Sequence, residues 1–258
     1  MNLRAITFDF WDTLFPRLGR DTDRGVAEVR SEAIRAFMAE RDGVFSLEQC
    51  RAAYDAADRG HLDHWLSGMR QPAVDEALDA ISGELSVKLE RKERSELASR
   101  LQCRPEVERI ESFPGVKELL PALAGRFRLG IISDTWLTPG TVPRLMLERH
   151  GLLGWFSAFV FSDESGFLKP HERPFQLALA ALDVAPEETV HVGDSERRDV
   201  VGALDQGMTA VLLDWNGQHD ASRAHAVIRD FPALGPALEQ LAARLQAAPR
   251  PREPAENK

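Results

Sequence analysis

Five short apolar runs punctuate the chain, at residues 3–8, 128–133, 158–161, 189–192 and 209–213. Stretches such as LGIIS and TVHVG are nearly continuous in apolar character. Strands buried on both faces read this way. Helical spacings separate the later runs, as in Val116/Leu119/Leu120/Leu123, Val142/Leu145/Met146 and Val200/Val201/Leu204. Strands that alternate with helices predict an α/β fold, a Rossmann-like parallel sheet with helices on both faces.

The first gap is different. Residues 16–112 contain no strand-like run. Val26, Val29, Ala33, Ile34, Phe37 and Met38 form one set at helical spacing. Leu47, Cys50, Tyr54, Ala57, His61 and Trp65 form a second, and Val74, Leu78, Ile81 and Leu85 a third. Breaks fall at 41–43, at 67–72 and around Pro105. The pattern predicts an all-helical domain, residues 16–112, inserted after the first strand and hinged at 16–19 and 110–114. The sheet core then comprises residues 1–15 and 113–246. The Pro-rich, charged tail 247–258 predicts disorder.

Composition narrows the function classes. The 258 residues are 43% hydrophobic and 28% charged, ordinary for a globular enzyme. A net charge of −9 argues against a general nucleic-acid or anionic-membrane binder. It leaves room for local anion binding. Cys50 and Cys103 lie far apart, in no metal-like spacing, and read as reduced thiols. No apolar run is long enough to span a bilayer, and the first residues lead directly into a strand with no signal-peptide pattern. The expected location is the cytoplasm; oligomeric state leaves no mark in the pattern.

In an open parallel sheet, ligands bind beyond the carboxyl ends of the strands. Polar residues collect at those ends: Asp9 and Asp12, Ser133 and Asp134, Asp163, and Gly193, Asp194 and Ser195. Asp9 fits a nucleophile or a metal ligand, though taken alone it reads slightly better as a turn acid or a helix cap. Asp194, with Asp199 five residues on, could join it around a hard cation that takes oxygen ligands. An acid in a helix's first turn also suits the helix dipole, which is the plainer reading of Asp199. Ser133 could offer a hydroxyl to a phosphoryl oxygen. Lys169, held out of helix by Pro170, could neutralise a transferring group or be merely solvated.

In order, FDFWDTL, LGIISDT, FLKP and HVGDSERRDVVGA resemble the four motifs of the haloacid dehalogenase-like (HAD) hydrolase superfamily. The likeness covers nearly the whole chain, and the helical insertion is similar to the C1 cap of subfamily I. The resemblance implies a Mg²⁺-dependent hydrolase, a phosphatase acting on a small phosphorylated or otherwise anionic metabolite. Asp9 would be the nucleophile that forms an aspartyl-phosphate. Mg²⁺ would be held by Asp9, the backbone carbonyl of Trp11 and Asp194, with Asp199 in support. Ser133 and Lys169, helped by backbone N–H groups near Asp134, would bind phosphoryl oxygens.

The first motif departs from the family's phosphatases. Their second acid lies two residues after the nucleophile, where this chain has Trp11. Asp12 holds the next position, commonly glycine, and an ordinary extended backbone would turn it elsewhere. Asp12 therefore stays a candidate acid/base with a displaced carboxylate. An aromatic at this position also resembles the dehalogenases, which need no general acid because halide leaves without a proton. The GD pair at 193–194 favours a metal site instead. Phosphonatases use a cap lysine, but Lys88 and Lys92 sit in LERKER, a solvated face. A phospho-ligand-binding relative without catalysis is the remaining alternative. For substrate contacts the candidates are Arg17, Arg20, His61 and Trp136; His64 reads as surface and Trp65 as packing within the insertion.

Overall fold

A computed structural model describes residues 3–20, 24–217 and 221–247. Among these, six parallel strands form one sheet in the order β3-β2-β1-β4-β5-β6. They are β1 Ala5–Phe8, β2 Arg128–Ser133, β3 Ala158–Phe161, β4 Thr189–Gly193, β5 Thr209–Leu213 and β6 Ala226–Ile228. The α/β expectation holds, and the central strands β1, β4 and β5 are buried at every position. Strand β6 was not read from the sequence. It is a three-residue edge strand with one buried residue, too short to print a pattern.

Chain order reverses between β1 and β4, which pair directly with Phe8 opposite Val192. Connections run to opposite sides there, so a crevice opens beyond the two strand ends. Asp9 leaves β1 and Asp194 leaves β4 at that point.

Between β1 and β2 lie α1 Val26–Ala39, α2 Leu47–Gly68, α3 Val74–Glu84, α4 Arg91–Leu101 and the short α5 Arg104–Val107. Ser46 starts α2 with a reciprocal capping box: its hydroxyl accepts from Gln49 N, and the Gln49 side chain accepts from Ser46 N. The helices share a hydrophobic cluster of their own. Ile34, Phe37, Tyr54, Leu78, Ile81, Leu97 and Leu101 belong to it. Trp136 and Leu137, just past β2, join the same cluster and tie the insertion to the sheet side.

The sheet is flanked by α6 Val116–Ala124, α7 Thr141–Arg149, α8 Ser162–Ser165, α9 Glu172–Leu182, α10 Gly202–Asp205 and α11 Leu234–Ala247. Helix α11 runs to the first residue of the expected tail; residues 248–258 lie outside the described residues. No helix among the described residues is long and apolar enough to cross a membrane.

Candidate active site

A cavity of about 570 Å³ opens at the β1/β4 strand ends, between the sheet and the inserted helices. Its wall includes Asp9, Trp11, Asp134, Lys169, Asp194 and Asp199 from the sheet side, and Arg30 and His61 from the helices. The volume suits a small molecule.

Lys169 organises the floor. It is 1% exposed, and its Nζ donates to Asp9 Oδ1 at 2.7 Å and to Asp199 Oδ1 at 2.5 Å. Its backbone is fixed as well. The N–H donates to Asp134 Oδ1 at 2.8 Å, and the carbonyl accepts from Trp65 Nε1 at 2.8 Å. The solvated-loop reading of this lysine is thereby removed. Burial alone would lower its pKa, but Asp199, Asp9 and Asp134 outweigh burial and hold it above the usual lysine range.

Asp199 is equally committed. It lies in a π-helical turn, Glu196–Val201, directly after β4. Burial opposes its charge, yet Lys169 and His191 hold its carboxyl below the ordinary range. Its Oδ2 accepts from Ser195 N at 2.9 Å. Gly193 permits this: a Cβ there would lie 2.2 Å from Asp199 Cγ.

Sequence reasoning passed over His191. It is buried in β4, where burial lowers its pKa and favours the neutral ring. The Thr7 hydroxyl donates to Nδ1 at 2.9 Å, so Nε2–H donates to Asp199 Oδ1 at 3.1 Å. A polar chain therefore runs Thr7–His191–Asp199–Lys169–Asp9. The available signal was one histidine between two valines in a strand buried at every position.

One oxygen each from Asp9, Asp194 and Asp199 fall within 4.8 Å of one another. Burial, then the charges of Asp9, Asp199 and Asp12, push the Asp194 carboxyl up to about 8. Burial likewise raises Asp9, against the pull of Lys169. Asp9 and Asp199 share one buried ammonium, and Asp194 has only the largely exposed Arg17 at 3.9 Å, so the cluster is short of positive charge. A hard divalent cation with oxygen ligands fits that donor set. Asp134, whose burial raises it to about 6, stands beside this cluster with Arg198 Nε at 3.9 Å.

Asp12 belongs to a different environment. It is 2% exposed and does not line the Asp9 cavity; it lines an adjacent one of about 430 Å³. Its carboxylate accepts from Arg17 Nε, from Arg17 N at 3.1 Å and from Arg20 at 2.9 Å. Its carbonyl accepts from Trp215 Nε1 at 2.7 Å. The backbone is not the ordinary extended one assumed from the sequence: φ is 57°, a left-handed conformation that favours glycine and tolerates Asp. Arg20, a substrate-contact candidate, thus meets Asp12, while Arg17 meets Asp12 and also lines the Asp9 cavity, 3.9 Å from Asp194 Oδ2. Arg20 also lies over the Phe113 and Trp215 rings at 5.1 and 5.7 Å.

The other candidates divide. Ser133 is buried and does not line the cavity; its hydroxyl makes a long 3.5 Å bond to the Asp134 carbonyl. Asp163 binds Thr135 Oγ1 and Gly140 N, bracing the loop after β2. His64 pairs with Glu76 at 2.8 Å near the surface. Trp65 corrects the sequence reading. Instead of packing within the insertion, it bonds the Lys169 carbonyl and lies under Arg197 at 4.4 Å. His61 lines the cavity, stacked on Trp136 with ring centroids 4.7 Å apart, and burial lowers its pKa to about 4. Lys88 and Lys92 are exposed and do not line this cavity.

Fold and cavity together define an α/β protein whose carboxylates and buried lysine gather where the strand order reverses. The chain belongs to the haloacid dehalogenase-like hydrolases, whose family model matches residues 3–207. A phosphoserine phosphatase of Thermus thermophilus is 35% identical over 179 residues, 68% of this chain and 67% of that protein. A glyceraldehyde 3-phosphate phosphatase of Methanothermobacter thermautotrophicus is 36% identical over 106 residues, 41% of this chain and 46% of that protein. The chain spans about half the length of several such relatives. A 2-haloacid dehalogenase structure from Pseudomonas syringae pv. Tomato DC3000 aligns with a TM-score of 0.68 at 24% identity, covering 93% of this chain and all of that one, and shares the fold.

Proposed function

We propose that the protein is a Mg²⁺-dependent phosphatase acting on a small phosphate monoester. The observation that carries this reading is Lys169 Nζ, bonded to both Asp9 and Asp199 within the three-carboxylate cluster. Phosphoryl transfer needs an in-line nucleophile and positive charge around the equatorial oxygens. Asp9 supplies the nucleophile and forms an aspartyl-phosphate, which water then hydrolyses. Lys169 stabilises the phosphoryl oxygens. Asp9, Asp194 and the Trp11 carbonyl would hold the cation, with Asp199 in support through Lys169; when bound, the cation would supply charge neutralisation. Residues 16–112 act as a cap that limits water and selects substrate. Named relatives that are phosphatases favour the same reading.

The acid cluster also weighs against haloacid dehalogenation, since displacing halide from carbon needs no cation. Assays of phosphate release with Mg²⁺ or EDTA, run beside halide release from 2-haloacids, decide the matter. Turnover of phosphate esters that EDTA abolishes is the expected outcome. Metal-independent halide release reverses the assignment.

Asp12 serves as an anchor in this reading: its two arginines tie the chain that leads into the insertion. Asp12→Gly suits the left-handed backbone and removes only the carboxylate. It is expected to lower stability by about 2 kcal/mol, toward the low side because Arg17 is largely exposed. Phosphatase kcat should fall by less than about 10-fold, whereas loss of a general acid/base costs roughly 10²- to 10⁴-fold. Thermal melts and steady-state kinetics on the same sample separate the two. The aligned position, Trp11, cannot move a proton, so substrates with good leaving groups should turn over best.

A further inference from the structure

Arg30 lies on α1, one turn before Ile34, on the face that packs inward. It is 6% exposed and lines the cavity that also holds Asp9 and Lys169. Its Nε donates to the Leu101 carbonyl at 3.1 Å. One terminal nitrogen donates to the Tyr54 hydroxyl at 3.4 Å, and the other to the Thr138 hydroxyl at 2.9 Å. The guanidinium carbon is 5.9 Å from the Tyr54 ring centroid and 5.6 Å from that of Trp136. The Cys103 thiol also rests against it.

Each of these partners is neutral. Among the described residues Arg30 forms no ion pair, and the exposed Asp58 acts on it only from longer range. Lys169, the other equally buried cation lining the cavity, has carboxylate partners in Asp9 and Asp199. A buried cation is costly unless a counter-charge meets it. The Leu101 carbonyl, at the negative end of α4, offsets part of the charge. The rest faces the cavity. Nearby, Trp136 Nε1 is a buried donor with no acceptor among the described residues.

We propose that Arg30 binds a carboxylate of the substrate, which makes the substrate class small phosphate monoesters that also carry a carboxylate. This rests on the phosphatase reading of the same cavity. Each terminal nitrogen of the guanidinium has two N–H groups and gives one to a hydroxyl. One N–H on each remains to face the two oxygens of a planar carboxylate. A single cation matches one negative charge; a second phosphate dianion would leave charge uncompensated in a buried wall. The phosphoryl group lies at Asp9 and Lys169, and the carboxylate at Arg30.

The test compares 2-phosphoglycolate with 2-hydroxyethyl phosphate, a matched pair that differs in the carboxylate, under Mg²⁺. Wild type should favour the carboxylate ester in kcat/KM on the order of 100-fold. Arg30→Gln should bring that ratio close to one, mainly through KM for the carboxylate ester, and Arg30→Lys should restore part of it. A wild-type ratio near one overturns the proposal. So does a ratio that survives in Arg30→Gln while both esters slow equally, the mark of a purely structural arginine. A preference for a bisphosphate over the carboxylate ester overturns it too. Should neither ester be hydrolysed, the phosphatase reading fails by itself. Calorimetric binding of the same pair then decides: a carboxylate preference lost in Arg30→Gln supports the anion site, and equal affinities refute it.

Discussion

Asp9→Asn is expected to lower kcat for phosphate-ester hydrolysis by on the order of 10⁴-fold while the protein keeps its fold. The amide has the shape of the carboxylate but cannot attack phosphorus. Stability should change little, because Asp9 is buried and desolvation already raises its pKa. Removing a buried charge relieves that cost, and Lys169 retains Asp199 as a partner at 2.5 Å. The melting temperature should therefore stay within a few degrees of wild type, or rise. Phosphate release and a thermal melt on the same preparation check both halves. Wild-type turnover in the variant would remove Asp9 from the nucleophile's role, and with it the aspartyl-phosphate.

The sheet was legible because burial on both faces writes strands as unbroken apolar runs. Runs at 128–133, 158–161 and 209–213 coincide with β2, β3 and β5. Edge strand β6 left no such run. Strand-end acids were visible as polar residues after apolar segments, yet their partners were not. Nothing in the spacing of Asp12, Arg17 and Arg20 announces that a left-handed residue lets one carboxylate hold both arginines. Glycine adopts that φ without strain; this chain uses one of the few side chains that tolerate the conformation, and uses its carboxylate as well. Trp65 misled because helical spacing tells which residues share a face, not what that face meets. Arg30 was detectable in principle. It is a charged residue in step with Val26, Ile34 and Phe37, on a face that should be apolar.

Lys169→Met should be the most damaging change to the site as a whole. Methionine approximates the length of the lysine stem but leaves Asp9, Asp194 and Asp199 facing one another without their buried cation. Breaking a buried pair by removing one partner costs about 3–5 kcal/mol. Loss of a group that stabilises transition-state charge costs roughly 10²- to 10³-fold in kcat. The two effects carry a pH signature. In wild type, Asp199 lies below its ordinary pKa, so its contribution to stability is present above pH 4 and lost as pH falls further. In the variant, burial loses its main opponent, only hydrogen bonds such as those from His191 and Ser195 N to Asp199 remain, and the carboxyls shift upward. A raised carboxyl costs stability increasingly as pH climbs from about 4 toward its folded pKa. The gap in melting temperature between wild type and Lys169→Met should therefore be wider at pH 8 than at pH 5. Added Mg²⁺ should narrow it, because a cation held by the same oxygens replaces part of the missing charge. A gap independent of pH and of Mg²⁺ would mean that Lys169 acts through packing alone, and that the ion cluster is not what holds the site together.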